Sequence, residues 1–353
     1  MPEAGPPPAG RHGGAGPAVE LSRPAPRFSL PLFHRLVLLA GVVALALLVW
    51  KLDIRAVLGI VSRVGWGMLF LLALGIVPPL LNAAGWRLSF EGDAGRAYTF
   101  RTLWALWLAM DGVNYLVPTG SVAGEVARAT LLGGSPPFEV RAASVLVSRL
   151  GQTVAQLAIV LVGLVALVAP LPVLTSYRWI TAAATGLLAL LVAAAGAYLL
   201  FARRLIRAGD GTPRPDEPPD GWLRRTPALL RLYFGRSRAR FSAAVVLFAA
   251  AYAWNSVETW WICDFIGLPV SVRTALTIEV LSVAIDGLTF IVPAKIGTQE
   301  LGKVAVFTLL GFPAPFGFAF GIVRHLREIF WAAAGLFLYV LRRRAASTAT
   351  RPA

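Results

Sequence analysis

Four acidic residues occupy matched places in two strongly apolar stretches. Asp111 opens the octapeptide Asp111-Gly-Val-Asn-Tyr-Leu-Val-Pro118, which recurs 175 residues later as Asp286-Gly-Leu-Thr-Phe-Ile-Val-Pro293. A glutamate follows seven residues after each proline, as Glu125 and Glu300. Acids number only 18 in 353 residues, so four at one offset carry more weight than matches among abundant valine and glycine. The cations available to them are Arg128, Arg149, Lys295, Lys303, Arg324 and Arg327. An ionised carboxylate at mid-bilayer costs about 2.5–3.5 kcal/mol on insertion scales, so each acid needs a basic partner, a proton or water. Two chemistries answer that need. One is a set of ion pairs that hold helices together, and the other is a wet cavity lined for a polar headgroup or a coupling ion. Glu125 and Arg128 lie three apart, share a helix face and could pair. Asn114 stands inside the first octapeptide. Gly120, Gly124 and Gly297 permit close backbone approach beside half-helix amino termini, which either attract an anionic phosphate or simply pack tightly.

The elements that carry these residues must be membrane helices. The chain is 57% hydrophobic and 14% charged, with mean hydropathy +0.69, whereas a soluble domain carries about a quarter charged residues. Ala and Leu abound and strand-type alternation is absent, which argues helices over barrel strands. The expected class is therefore all-α, a polytopic integral membrane protein of about six to eight transmembrane helices. Net charge is +15. In an apolar chain that basic excess reads as the positive-inside signal and not as a nucleic-acid surface. Residues 1–34, rich in Pro, Gly and Ala, read as a disordered cytoplasmic tail. Leu36–Trp50 reads as an uncleaved first span, not a signal peptide.

Charge then sets the topology. Residues 203–240 hold ten arginines against four acids, with Pro213, Pro215, Pro218 and Pro219 among them, and read as a cytoplasmic loop. The amino-terminal tail and the tail 343–353 read as cytoplasmic too. Five simple crossings between the first tail and the arginine loop would put them on opposite sides. The conflict disappears if 101–133 enters the membrane and returns, bending at Pro118-Thr-Gly-Ser121, and 275–310 does the same around Pro293. The layout is then six crossings, near 36–50, 66–86, 143–169, 177–201, 242–263 and 317–341, plus two re-entrant hairpins. Repeat one, about 66–170, and repeat two, about 242–341, are then inverted across the membrane within a single domain spanning 35–342. Eight full crossings with parallel halves are the alternative.

Other polar signals are modest. Trp50, Trp66, Trp86, Trp179 and Trp222 read as interfacial belts, Asn82 and Asn255 as interhelical hydrogen bonders, and Cys263 as packing. No zinc-protease, serine-hydrolase, P-loop or dinucleotide motif is present, so no enzyme activity, cofactor or metal is expected.

At Asn114-Tyr-Leu-Val-Pro-Thr-Gly-Ser-Val-Ala-Gly-Glu-Val-Ala-Arg128 and Val292-Pro-Ala-Lys-Ile-Gly-Thr-Gln-Glu300 the chain resembles a known family. That family is the flippase-like transmembrane region of lysylphosphatidylglycerol synthases, with stand-alone relatives that include a membrane protein of bacterial hopanoid-biosynthesis clusters. The resemblance implies movement or positioning of a lipid between leaflets of the bacterial inner membrane, with membrane lipids as partners. Phospholipid, polyisoprenoid and hopanoid are the candidate cargoes. It carries Pro118, Gly120, Gly124, Glu125 and Arg128 in the first motif and Pro293, Gly297 and Glu300 in the second. Thr119-Gly120-Ser121 departs from the paired glycines of many relatives, and the soluble aminoacyl-transferase domain of the synthases does not follow Arg343. The alternative expectation is a non-transporting accessory protein that docks a lipid-biosynthesis enzyme through residues 203–240.

Overall fold

The computed structural model describes residues 53–116, 122–168 except 135, 222–288 and 297–349, with isolated helical positions in 46–50 and 186–204. The expected spans at 36–50 and 177–201, the amino-terminal tail and both bends lie outside the described residues. Those described form helices and connecting turns, with no strand among them.

Helix α1, Ile54–Ser62, starts where the Asp53 carboxylate accepts from the amides of Arg55 and Ala56 at 3.0 and 3.3 Å, a side-chain cap for otherwise unpaired donors. Helices α2, Gly67–Leu74, and α3, Val77–Leu88, follow end to end. Pro78 and Pro79 fit in the first turn of α3, where a missing N–H costs nothing. Then come α4, Phe100–Leu116, α5, Val122–Leu131, and α6, Phe138–Gly163, whose end widens into a π-turn at Leu164–Val168. After α7, Trp222–Arg236, the order repeats in kind: a long α8, Arg238–Phe265, then α9, Val272–Leu288, α10, Thr298–Leu309, and α11, Ala314–Ala349.

Three of these segments are long and apolar enough to cross a membrane: Gly67–Leu88, Phe138–Ala166 and Arg238–Phe265. Helices α4 and α9 have 17 residues each, while α5 and α10 have 10 and 12. At 1.5 Å per residue the short pair reach about 15 and 18 Å, well under a hydrocarbon core of roughly 30 Å. Large apolar side chains such as Leu69, Phe70, Val246, Phe330 and Phe337 lie exposed on the bundle surface, as a membrane solvent requires.

Two differences from the sequence reading stand out. Residues 222–236, within the expected arginine-rich loop, form α7, which docks on α6 by burying Leu230 and Tyr233 against Val147. The Tyr233 hydroxyl donates to the Leu88 carbonyl at 2.9 Å, and burial pushes it up to about 12 against the opposing charge of Arg240, so it stays a donor. The carboxyl end also continues as helix to Ala349, beyond the tail boundary expected at 343.

Two apolar cores fill the bundle. One joins α1, α2, the end of α8, α9, α10 and α11 around Leu71, Ile262, Phe307 and Phe320. The other joins α3–α6 and the start of α8 around Trp86, Leu106, Trp107 and Phe248. Helix α8 runs through both. The long limb α4 packs most extensively on α11, and α9 packs on α6, so each reaches the last helix of the other half. The α4–α11 crossing is backbone to backbone: a Cβ on Gly335 would stand 2.1 Å from the Leu108 carbonyl oxygen, and one on Gly112 2.5 Å from that of Ala332. At the α6–α9 crossing, a Cβ on Gly163 would meet the Val280 side chain at 2.4 Å. Gly163 and Gly335 are 172 residues apart, and so are Leu108 and Val280.

Candidate functional site

The site is built where α4 and α11 cross beside the α2–α3 junction and the middle of α8. Gly112 and Gly335 let backbones approach there and Gly75 makes room for the Trp331 side chain, and the space left is a cavity of about 250 Å³. Asp111 and Tyr115 line it from α4, Asn82 from α3, Asn255 from α8, and Arg327, Glu328 and Trp331 from α11. Asp111 is an exposed residue, and the surface it exposes is cavity wall. Two donors lining the same cavity, the Tyr115 hydroxyl and the Trp331 indole N–H, are buried and have no hydrogen-bond partner among the described residues. A pocket with a carboxylate in its wall beside these donors offers both acceptors and donors to a polar group.

Around this cavity the charges are paired unevenly. In the first half, Glu125 Oε1 lies 3.3 Å from Arg149 Nε. Arg128 is buried, with its guanidinium carbon 4.0 Å from the centroid of the Trp107 ring and 5.1 Å from that of Trp86, a cation–π seat. The pairing of Glu125 with Arg128 expected from their spacing is therefore not made. Glu125 turns to α6 and Arg128 to the tryptophans. Trp86 is correspondingly not interfacial but fully buried, its indole donating to Ser144 Oγ at 3.2 Å. Trp66 is exposed. Asn114 Oδ1 accepts from the Gly124 amide at 3.0 Å and occupies the space that a Cβ on Gly124 would need, which ties α4 to α5.

In the second half, Lys303 is fully buried and its ammonium lies 3.3 Å from both oxygens of Asp286. Lys303 stands at the repeat offset from Arg128, an equivalence the sequence reading passed over. Glu300 Oε1 meets His325 Nδ1, while its Oε2 accepts from the Gly297 amide at 3.0 Å. Gly297 has φ +76°, the left-handed region where glycine is favoured. Its amide is thus engaged by the helix's own glutamate, so it is not open to an incoming phosphate. Arg327 does not play toward Glu300 the part that Arg149 plays toward Glu125; it pairs with Glu258 at 2.7 Å. Pro118, Gly120, Pro293 and Lys295 lie outside the described residues.

A further network was not read from sequence. Arg324 grips Glu279 through both terminal nitrogens, Nη2 to Oε1 at 2.9 Å. It also reaches Glu328 at 3.7 Å, while the Thr259 hydroxyl donates to Glu279 at 3.0 Å. Gln299 donates to Glu328 at 3.3 Å. The visible signal was the run Arg324-His325-Leu-Arg327-Glu328 inside an apolar helix; single charges such as Glu258 and Glu279 form no motif. Among the described residues, no group of three or more His, Cys, Asp or Glu gathers as metal ligands would.

Residues 34–335 match the family model described as the lysylphosphatidylglycerol synthase TM region. The chain belongs to that family, which makes it a membrane protein tied to lipid handling, matched through a transmembrane region and not a catalytic domain. No curated protein and no solved structure matches it.

Proposed function

We propose that this member of the lysylphosphatidylglycerol synthase TM-region family moves a lipid between the leaflets of the bacterial inner membrane, with its amino terminus cytoplasmic. The observation that carries the reading is the cavity holding the exposed Asp111 among Asn82, Tyr115, Asn255, Glu328 and Trp331, inside a bundle clad in apolar side chains. A buried polar pocket in a membrane bundle is costly to maintain and marks a ligand path. The headgroup enters this pocket while the acyl or isoprenoid tails stay in lipid. Two features support alternating access by an inverted pair of re-entrant hairpins. The short helices α5 and α10 each follow a 17-residue partner, and α4 and α9 each pack on the last helix of the other half.

A second reading, a docking platform for a lipid-modifying enzyme, is favoured by α7, which exposes Arg231, Leu232 and Arg236. Reconstituted liposomes carrying fluorescent lipid separate the two. Transport predicts movement by the wild type and at least a tenfold loss, about 1.4 kcal/mol in barrier terms, in Asp111→Asn with the fold intact. Movement undiminished in that variant refutes the site, and no movement by any form of the protein supports the docking platform.

A further inference from the structure

One ion pair of the described bundle has a base that can lose its charge near neutral pH. Asp286 is held by Lys303, Glu279 and Glu328 by Arg324, Glu258 by Arg327, and Glu125 by Arg149. Lysine and arginine keep their charge at physiological pH, whereas imidazole titrates between about pH 5 and 8. Glu300 pairs with His325. Glu300 is buried, so whether its carboxylate has a full counter-charge depends on a proton.

The pair also joins the two described helix ends that border the expected bends. Through Oε2, Glu300 closes the first turn of α10 at Gly297, directly after the second bend, and Gly321 of α11 packs on its backbone. The imidazole meets the Tyr115 ring edge-on, centroids 6.3 Å apart, in the last turn of α4 just ahead of the first bend. The other described charged groups nearby make these pairs. Lys303 of α10 sits on Asp286 of α9, Arg324 and Arg327 of α11 on Glu279 and Glu258, and Glu125 of α5 on Arg149. Asp111 of α4 and Glu328 of α11 face the cavity.

We propose that Glu300 and His325 form a proton-binding site, and that the proton is the coupling ion for lipid movement; the coupling rests on the transport reading above, the site does not. In the neutral form His325 donates Nδ1–H to the Glu300 carboxylate. Uptake of one proton from solvent makes an imidazolium–carboxylate pair, and release returns it to solvent with no other bond changed. The charged pair holds α10's first turn and the end of α4 together on α11; the neutral pair holds them less tightly.

Hydrogen exchange on the full chain in nanodiscs, corrected for intrinsic rates, tests the site. Protection of residues 297–303 and 111–116 should rise at least about fivefold as pH falls from about 8 to 5. His325→Gln, which keeps a donor for Glu300, and Glu300→Gln, which keeps an acceptor for Gly297, should both give flat profiles. A flat wild-type profile overturns the proposal whether or not either variant folds. In proteoliposomes, an imposed pH gradient should change the wild-type rate of lipid movement by about fivefold or more and leave His325→Gln unresponsive. A wild-type rate indifferent to the gradient overturns the coupling. Titrating exchange with no lipid movement at all leaves the proton site standing and sinks the transport reading instead.

Discussion

The repeated aspartates face opposite surroundings, and neutralising them separately should show it. Asp286 is a direct counter-charge of a fully buried ammonium, Lys303 Nζ, 3.3 Å from both its oxygens. At that distance the attraction is about 5 kcal/mol for an effective dielectric of about 20. Desolvation offsets much of this in the intact pair, but it remains as a penalty once one member is gone. Asp286→Asn should therefore cost about 3 kcal/mol or more of stability. Asp286→Asn with Lys303→Met removes both charges and should recover at least half of that loss. Asp111→Asn, whose carboxylate opens onto the cavity, should stay within about 0.5 kcal/mol of wild type. The assay is equilibrium unfolding in mixed detergent micelles followed by far-ultraviolet circular dichroism. A loss below about 1 kcal/mol for Asp286→Asn, or a double variant no better than the single one, would refute the view that Lys303 depends on this carboxylate.

The packing and the cation–π seat give two further tests. Gly335→Val should destabilise by about 3 kcal/mol, because its Cβ meets the Leu108 backbone and not a movable side chain. Gly59→Ala, with open space around it, should be neutral or stabilising by up to about 1 kcal/mol; thermal unfolding of the two variants in one detergent checks the contrast. Arg128→Lys keeps the charge but loses the planar face that lies over Trp107, and should cost about 1–2 kcal/mol. That loss should be accompanied by a change in tryptophan emission, and an unchanged spectrum with full stability would remove the stacking from the account.

The sequence made the apolar helices and the Asp/Glu placement legible, because both are local. Periodicity and length mark a helix wherever it ends up packing, and a carboxylate in an apolar run is conspicuous in one dimension. Partner choice was not legible. Arg128 lies one turn from Glu125, yet the crossing of α3, α4 and α5 brings Trp86 and Trp107 over it first. Arg327 echoes Arg149 in position but reaches Glu258, a residue on α8 that belongs to no motif. Residues 222–236 were hidden by the prolines before them. Leu230 and Tyr233 form an apolar contact whose value appears only once α6 offers Val147.

Those partner choices give the two halves different work to do with similar parts. The first half sets Asp111 in the cavity wall and seats its buried cation on aromatic faces. The second half spends its charges on one another, in the Asp286–Lys303 and Glu279–Arg324 pairs, and so supplies rigidity. Glu300 is the exception in that rigid half, because its partner His325 can change charge. On the two proposals above, a bundle open on one side, fixed on the other and joined through one titratable pair would offer a place for a ligand and a place for a proton. The contact between Tyr115 and His325 is, on those proposals, the link through which occupancy of one would alter the other. Replacing Tyr115 with Leu should therefore leave a proton response at residues 297–303 but abolish it at 111–116, a separation that hydrogen exchange resolves. Were both segments still to respond together, the link would have to run through the α4–α11 backbone crossing instead.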